Sequence, residues 1–383
     1  MFTTRPEILG SFGVVTSTHW LASASGMSLL ERGGNAFDAA VAAGFVLQVV
    51  EPHLVGPAGE VPVLFHSART GRTEVLCGQG PTPAGATLEH YRSLGLDLIP
   101  GNGLLPAVIP GAFDAWMLLL RDHGSMRVRD VLEPAIFYAD TGHALMPRIS
   151  NTIAGLKDFF LQHWPSTAEV YLPGGQVPRA GKLFRNPALA RTWRRVLAAA
   201  EAAGADRERQ IEAARDAFYR GFIAEAIDSF VRNEVMDESG RAHCGVLRAS
   251  DLAGWSATYE AAATYDYGDY TVAKAGAWSQ GPVFLQTLAL LKGTDLAAMG
   301  PSSADFIHHL TEAMKLAFAD REVYYGDPAF TDVPLDTLLS DAYNDARRAL
   351  IGGSASQELR RDRSPGSKRN WRASWIRCRA CPR

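Results

Sequence analysis

The chain has 383 residues, of which 47% are hydrophobic and 21% are charged. These fractions are close to the globular average and exclude a mainly disordered, collagen-like or coiled-coil protein. No apolar run reaches the length of about 18 residues that a membrane-spanning helix needs. The N-terminus lacks the pattern of a signal peptide. The four cysteines are too few for a disulfide scaffold. We therefore expect a cytoplasmic protein with no membrane-spanning segment.

The net charge of −3 hides an uneven distribution. Residues 360–383 contain nine basic residues and one acid, which leaves residues 1–359 with a net charge of −11. An acidic body argues against a nucleic-acid partner. We predict a folded region at 1–359 and a basic, irregular tail at 360–383. The tail can be interpreted as a solvated terminus, as an arm for an anionic partner, or as the product of out-of-frame reading.

Two consecutive helices are predicted near the N-terminus. Small and apolar residues at helical spacing cover 21–32, and two glycines then end the helix. Asn35 can cap the next helix, 36–50, and Asp38 places a carboxylate near its first amides. The second helix is apolar nearly all round, so we expect it to be buried.

Short strands and longer helices alternate along the rest of the chain. Residues 61–66 and 73–76 indicate a hairpin, and the Gly/Pro-rich stretch 78–85 indicates irregular backbone. Further patterns predict helical structure at 110–142 with breaks at Gly124 and Pro134, helical structure at 188–232, a strand at 269–275, and helices at 281–292 and 303–320. Strands near both ends with helices between them indicate an α+β fold in which distant strands pair.

Three motifs suggest chemistry, and each has an ordinary structural alternative. Ser279 lies in AWSQG, a variant of the nucleophile elbow of serine hydrolases, which is otherwise a strand-to-helix turn. His308, His309 and Glu312 could bind a metal, since His308 and Glu312 are one helical turn apart, or could simply lie on a helix surface. Cys378 and Cys381 form a single C-x-x-C in the basic tail. No phosphate-binding loop occurs, so we expect no nucleotide cofactor. No H-E-x-x-H motif and no third ligand accompany the His/Glu pair, so we expect no metal.

Several segments, taken in order, resemble the γ-glutamyltranspeptidase family. GGNAFDAAVA at 33–42 resembles that family's GGNAxDAAVA, and VEPH at 50–53 matches its VEPH. Similar landmarks follow at 108–111, 133–142, 217–221, 250–252, 312–321, 327–328 and 333–334. The resemblance covers about residues 11–351, and the number of ordered motifs makes it specific.

The resemblance implies an N-terminal-nucleophile hydrolase with a four-layer αββα sandwich. Members cleave themselves before a threonine in a Thr-Thr-His segment, and the new N-terminal threonine is both nucleophile and, through its amine, base. An acyl-enzyme then transfers its acyl group to water or to an amine. The large N-terminal segment supplies part of the substrate pocket, and the small C-terminal segment supplies the nucleophile.

The sequence departs from the family pattern in two respects. Its only Thr-Thr, at 3–4, is followed by arginine, so no Thr-Thr-His is present and no catalytic residue can be assigned. The family's arginine that binds the substrate α-carboxylate, in a G-R-E-T-A-P segment, corresponds to Gln79. A glycine run before the first strand is replaced by Ala58-Gly59-Glu60, and Glu60 would repel a carboxylate if its side chain faces the pocket. We predict Gln79 as a substrate-binding residue and a related amide or acyl compound, rather than glutathione, as substrate.

These features together indicate a large-subunit equivalent of an amide hydrolase or acyltransferase. Its αββα sandwich is expected to be incomplete, its small subunit to be missing, and the isolated chain to be inactive. The alternatives are a serine hydrolase that uses Ser279 and a non-catalytic binding protein. His53 and Glu60 could line a pocket or be ordinary residues at element boundaries.

Overall fold

The computed structural model describes residues 7–362, which form two compact units. Unit 1 comprises the chain up to Pro62 and from Leu76 to Thr258, and unit 2 comprises Val63–Val75 and the chain from Tyr259 onward. Both units mix helices with short strands, as the α+β prediction requires. Among the described residues, no helix combines the length and apolar character needed to cross a membrane.

Helices dominate the described part of unit 1. They are α1 (Trp20–Glu31), α2 (Ala36–Val50), α3 (Leu88–Ser93), α4 (Ala112–His123), α5 (Val128–Thr141), α6 (Pro147–His163), α7 (Pro165–Tyr171), α8 (Pro187–Ala202), α9 (Arg207–Tyr219), α10 (Phe222–Val231) and α11 (Ala249–Ala253), with a 3-10 turn at Pro173–Gly175.

The start of α2 explains the first family-like motif. Asn35 accepts hydrogen bonds from the first amides of the helix, and Asp38 accepts one from the Asn35 amide, which together make a capping box. The buried Asp38 carboxylate also accepts from the Ser125 amide and hydroxyl and from the Met126 amide, each at 2.8–3.1 Å. Asp38 therefore ties α2 to the α4–α5 connection and has a structural role.

An aromatic cluster forms the centre of unit 1. Phe113, near the start of α4, stacks on Phe218 at 4.6 Å and on Trp193 at 5.6 Å between ring centroids, and Phe45 packs edge-on against Trp193. All four side chains are nearly inaccessible to solvent. Aromatic pairs at these distances add to the stabilisation from burial, so the first turn of α4 is firmly anchored.

Helix α5 differs from the sequence prediction. Gly124 does separate α4 from α5, but Pro134 lies inside α5 without ending it. A proline there removes one backbone hydrogen bond and costs about 3 kcal/mol. Val131 and Leu132, both fully buried, each contribute about 1.5–3 kcal/mol, so packing outweighs the cost of the proline.

Unit 2 is built around two helices that pack together. Its described helices are α12 (Gly281–Leu291), α13 (Leu296–Met299), α14 (Ala304–Tyr324), α15 (Leu335–Leu338) and α16 (Asp341–Arg348). Leu290 on α12 and Leu316 on α14 are fully buried in one cluster. Leu285 on the opposite side of α12 packs in a second cluster with Tyr265.

The described strands are short. They are β1 (Val61–Ser67), β2 (Arg72–Gly78), β3 (His143–Ala144), β4 (Leu183–Phe184), β5 (Val235–Met236), β6 (Ala242–His243), β7 (Thr258–Ala261), β8 (Ala263–Tyr267) and β9 (Tyr270–Lys274). Strands β1, β2 and β7 form a three-stranded sheet in that order, which confirms that strands distant in sequence pair. Three antiparallel pairs complete the set: β3–β4, β5–β6 and β8–β9.

Candidate functional site

Gln79 immediately follows the last residue of β2, in unit 1. Its side chain is exposed, whereas the glycines on either side of it are buried. The residue predicted to bind substrate is therefore presented to solvent from a turn whose backbone is packed on both sides. We call residues 78–80 the Gln79 turn.

The Gln79 turn is fixed by close approach of backbone to backbone. A Cβ atom at Gly80 would lie 1.9 Å from the carbonyl oxygen of Ile109, and one at Gly78 would lie 2.6 Å from the carbonyl oxygen of Val61. A Cβ at Gly111 would in turn lie 2.1 Å from the carbonyl oxygen of Gly78. No side chain fits at these three positions unless the backbone moves. Steric exclusion therefore explains why glycine occupies each of them.

The segment that carries Glu60 lies next to the Gln79 turn. The carbonyl oxygen of Gly59 accepts hydrogen bonds from the amides of Gly111 and Ala112, at 3.0 and 2.9 Å. Val61, next to Glu60, contacts Gly78, next to Gln79, so the exposed Glu60 and Gln79 lie at the same end of the hairpin. The structure thus brings together three segments that the sequence singled out: 58–60, 78–83 and 110–111.

Tyr219 is a residue of this site that the sequence analysis missed. Its buried hydroxyl donates to the carbonyl oxygen of Pro110 at 2.6 Å and accepts from the amide of Asp114 at 3.1 Å. Burial raises the pKa of Tyr219 far above its usual value, so the hydroxyl stays protonated. Tyr219 appears in the sequence only within the landmark at 217–221, and no local pattern relates it to Pro110.

Asp114 extends this support. Its carboxylate is nearly inaccessible and binds the guanidinium of Arg215 through two oxygens, at 2.6 and 3.2 Å. It also accepts from the amide of Ala257 at 2.8 Å. A bidentate carboxylate–guanidinium pair fixes the relative orientation of its two groups, so α4 and α9 hold the Pro110–Gly111 segment in place.

The polar groups at the Gln79 turn and at Glu60 can form hydrogen bonds to a bound molecule. Gln79 offers an amide donor and an amide acceptor, and Glu60 offers a carboxylate. Residues 58–60, 78–83 and 110–112 contain no lysine or arginine, so these segments supply no cation for a substrate carboxylate. His53, after α2, has both ring nitrogens buried without a hydrogen-bond partner among the described residues.

Ser279 has the geometry of a residue in the turn that leads into α12. Its hydroxyl donates to the carbonyl oxygen of Gly276 at 2.8 Å and accepts from the amide of Gly281, the first residue of α12, at 3.0 Å. No histidine in residues 7–362 is hydrogen-bonded to it. A cleft of about 600 Å³ in unit 2 is lined by Gly276, Ala277 and residues between 328 and 335, and Ser279 is not among its lining residues.

His308 and Glu312 lie on one face of α14, as their spacing predicts, but they bind the backbone and the side chains of other residues in unit 2. His308 Nε2 is 2.7 Å from the carbonyl oxygen of Gly352. The Glu312 carboxylate is buried and contacts Lys315, Ser356 and Arg360. Within residues 7–362, no group of three or more His, Cys, Asp or Glu side chains is arranged to hold a metal ion.

Some predicted features lie outside the described residues. These are the Thr-Thr pair at 3–4, the C-x-x-C at 378–381 and all but the first three residues of the basic tail. The predicted boundary at 359/360 stays a prediction.

Comparisons with known proteins agree on one family. The family model for gamma-glutamyltranspeptidase matches residues 22–375. The glutathione hydrolase-like YwrD proenzyme of Bacillus subtilis is 32% identical over 339 residues, which is 88% of this chain and 59% of that protein. The acylase ACY 1 proenzyme of Pseudomonas sp. strain SE83 is 33% identical over 352 residues, 89% of this chain and 59% of that protein.

A solved structure gives the same fold. LmbA2991HD superimposes with a TM-score of 0.90 at 58% sequence identity, over 96% of this chain and 62% of that one. The chain therefore spans about three fifths of the length of these three relatives.

Proposed function

This chain belongs to the γ-glutamyltranspeptidase family, and we propose its function on that basis. The complete protein hydrolyses an amide bond or transfers its acyl group to an amine, and this chain is its large-subunit part. The observation that carries the proposal is the family match across residues 22–375. Relatives named glutathione hydrolase-like and acylase proenzymes support a small-molecule amide or γ-glutamyl-type substrate. The sequence pattern further leads us to propose a cytoplasmic location.

The isolated chain is proposed to be inactive because its 383 residues contain no Thr-Thr-His. A small subunit would supply the nucleophile. We expect no turnover of γ-glutamyl-p-nitroanilide by the purified chain. Turnover that disappears when one of its own residues is replaced by alanine would contradict this part of the proposal.

The proposal that a small subunit is missing can be tested at the level of the gene. Sequencing across codons 350–384 and reading all three frames downstream should reveal a continuation of the family pattern into Thr-Thr-His. If no frame contains one, the chain has no encoded catalytic half, and a non-catalytic binding function becomes the better explanation.

Gln79 is proposed to contact the acyl part of the substrate. Its support is the exposed position on a rigid turn and the resemblance of residues 78–83 to the family segment that carries the carboxylate-binding arginine. A guanidinium binds a carboxylate through two charged hydrogen bonds, whereas an amide offers neutral ones. The difference of about 1.5–3 kcal/mol corresponds to roughly 10- to 100-fold in affinity.

The test uses the complete enzyme with its nucleophile-bearing segment. Gln79→Arg should lower the KM for γ-glutamyl-p-nitroanilide roughly 10- to 100-fold. Gln176→Arg adds the same charge at another exposed position of unit 1 and should leave KM unchanged. An unchanged or higher KM for Gln79→Arg would remove Gln79 from the substrate site.

A further inference from the structure

Residues 352–362 form an irregular segment after α16 that we call the strap. They contain no helix or strand, and they contribute no residue to the hydrophobic core of unit 2. Leu359, the one large apolar side chain in the strap, is about half exposed. Burial of apolar side chains therefore does not explain why the strap lies against α14. The polar contacts of the strap must explain this position.

Three side chains on one face of α14 bind the backbone of the strap. His308, Glu312 and Lys315 are spaced at i, i+4 and i+7, which places them in a row along the helix. His308 Nε2–H donates to the carbonyl oxygen of Gly352 at 2.7 Å. At Ser356, the amide donates to Glu312 at 3.2 Å, and the carbonyl oxygen accepts from Lys315 Nζ at 2.6 Å.

Glu312 is the centre of this row. Its side chain is only 1% exposed, and it pairs both with Lys315 on its own helix and with Arg360 on the strap. A buried carboxylate is stable only when it is paired and hydrogen-bonded. The strap provides one of the two cations and one amide, so detaching the strap would leave Glu312 with a single partner.

Two further contacts hold the end of the strap. Arg347 on α16 donates to the carbonyl oxygen of Arg360 at 2.6 Å while it is paired with the buried Asp320. The Tyr324 hydroxyl donates to the carboxylate of Asp362 at 2.6 Å. Side chains of unit 2 thus hold the strap at its backbone near the start, the middle and the end, and at the side chain of Asp362.

We propose that Glu312 is a positioning residue that clasps the strap through Arg360 and Ser356, and so determines the point from which the chain continues beyond Asp362. This inference rests on the proposed function for its consequence. The family match extends to residue 375 and so includes the strap. In the complete enzyme, the segment that cleaves itself therefore follows the strap, and its cleavage rate depends on the clasp. Glu312 does not touch the reacting atoms.

The first experiment tests the clasp itself, on the 383-residue chain, by hydrogen exchange of peptides that cover 352–361. Glu312→Gln and Arg360→Gln should each accelerate exchange at Ser356 at least tenfold, with α12 unchanged. The double variant should exchange no faster than either single variant, because the two residues act through each other. Glu358→Gln removes an equal charge from an exposed strap residue and should have no effect.

Two outcomes would overturn the clasp. One is unchanged exchange in both single variants. The other is an equal acceleration throughout unit 2, which would show a general structural role. Arg360→Gln keeps the test decisive if Glu312→Gln fails to fold, because Arg360 lies outside the helical core.

The second experiment measures self-cleavage of the complete protein. Glu312→Gln should slow it at least tenfold and leave the KM of the matured enzyme unchanged. A loosened strap with an unaltered cleavage rate would overturn the positioning role. If the complete protein without substitutions does not cleave itself, the proposed function is wrong. The hydrogen-exchange result then still shows whether Glu312 and Arg360 hold the strap.

Discussion

The Gln79 turn and the strap are both irregular backbone, but they are held by different forces. The Gln79 turn is fixed by glycines that allow one backbone to lie against another. The strap is fixed by charged side chains around two buried carboxylates, Glu312 and Asp320. A steric lock fails when volume is added and is insensitive to charge. A charge clasp fails when a partner is removed and depends on protonation.

The largest effect is expected at the ion pair behind the strap. Asp320 is fully buried and accepts hydrogen bonds from Arg347 at 2.7 and 3.1 Å and from Gln286 at 2.8 Å. Asp320→Asn leaves the Arg347 guanidinium without its counter-charge and should reduce the free energy of unfolding by about 3–5 kcal/mol. Urea denaturation measures this.

The matched control for that variant is Asp345→Asn. Asp345 pairs with Arg348, but its side chain is 62% exposed, so the change should cost less than about 1 kcal/mol. Equal losses for the two variants would mean that burial does not distinguish them.

The steric lock should respond to a single methyl group. Gly80→Ala places a Cβ 1.9 Å from a backbone oxygen, and the forced shift should cost about 3 kcal/mol of unfolding free energy. At Gly56, in the same unit, a Cβ meets nothing within 4 Å, so Gly56→Ala should be close to neutral. Thermal unfolding of the two variants compares them, and a neutral Gly80→Ala would remove the steric explanation.

The smallest expected effect is a difference in pH response between the units. In unit 1, burial and the neighbouring His19 lower the pKa of His143 to about 4. The unfolded chain binds this proton near pH 6.5, so stability is lost as the pH falls from 6.5 towards 4, by about 2 kcal/mol at pH 5. His143→Leu should flatten this dependence in denaturation curves at pH 7 and pH 5. Part of the pH dependence should remain in this variant, because burial also lowers the pKa of His19.

The clasp in unit 2 should respond in a more acidic range. Burial by itself would raise the pKa of Glu312, but hydrogen bonds from Lys315 and Ser356 and the charge of Arg360 outweigh it and lower the pKa. The stabilisation from Glu312 is therefore present above its ordinary pKa and is lost only as the pH falls through the lowered value. Protection of Ser356 from hydrogen exchange should persist at pH 5, and its loss between pH 7 and pH 5 would contradict this sign.

Features that depend on neighbouring residues were predictable from the sequence. Helix α2 begins and ends where the Asn35 cap and the apolar run predict, and the hairpin β1–β2 is extended by a few residues beyond its prediction. Capping and hydrophobic periodicity act within a few residues of chain, so they can be read directly. The family landmarks likewise predicted the family that the comparisons confirm.

Contacts between distant residues depended on the tertiary structure. Tyr219 reaches Pro110 across 109 positions, and Arg360 reaches Glu312 across 48. The spacing of His308 and Glu312 predicted that they share a helix face, but not that the strap binds to this face. Pro134 was expected to end a helix, but packing maintains that helix. The sequence by itself determined helix α2, the hairpin β1–β2 and the family, because these follow from short-range chemistry and ordered motifs. Only the tertiary structure decided what holds the Gln79 turn and the strap in place, because burial and charge pairing depend on which distant segments meet.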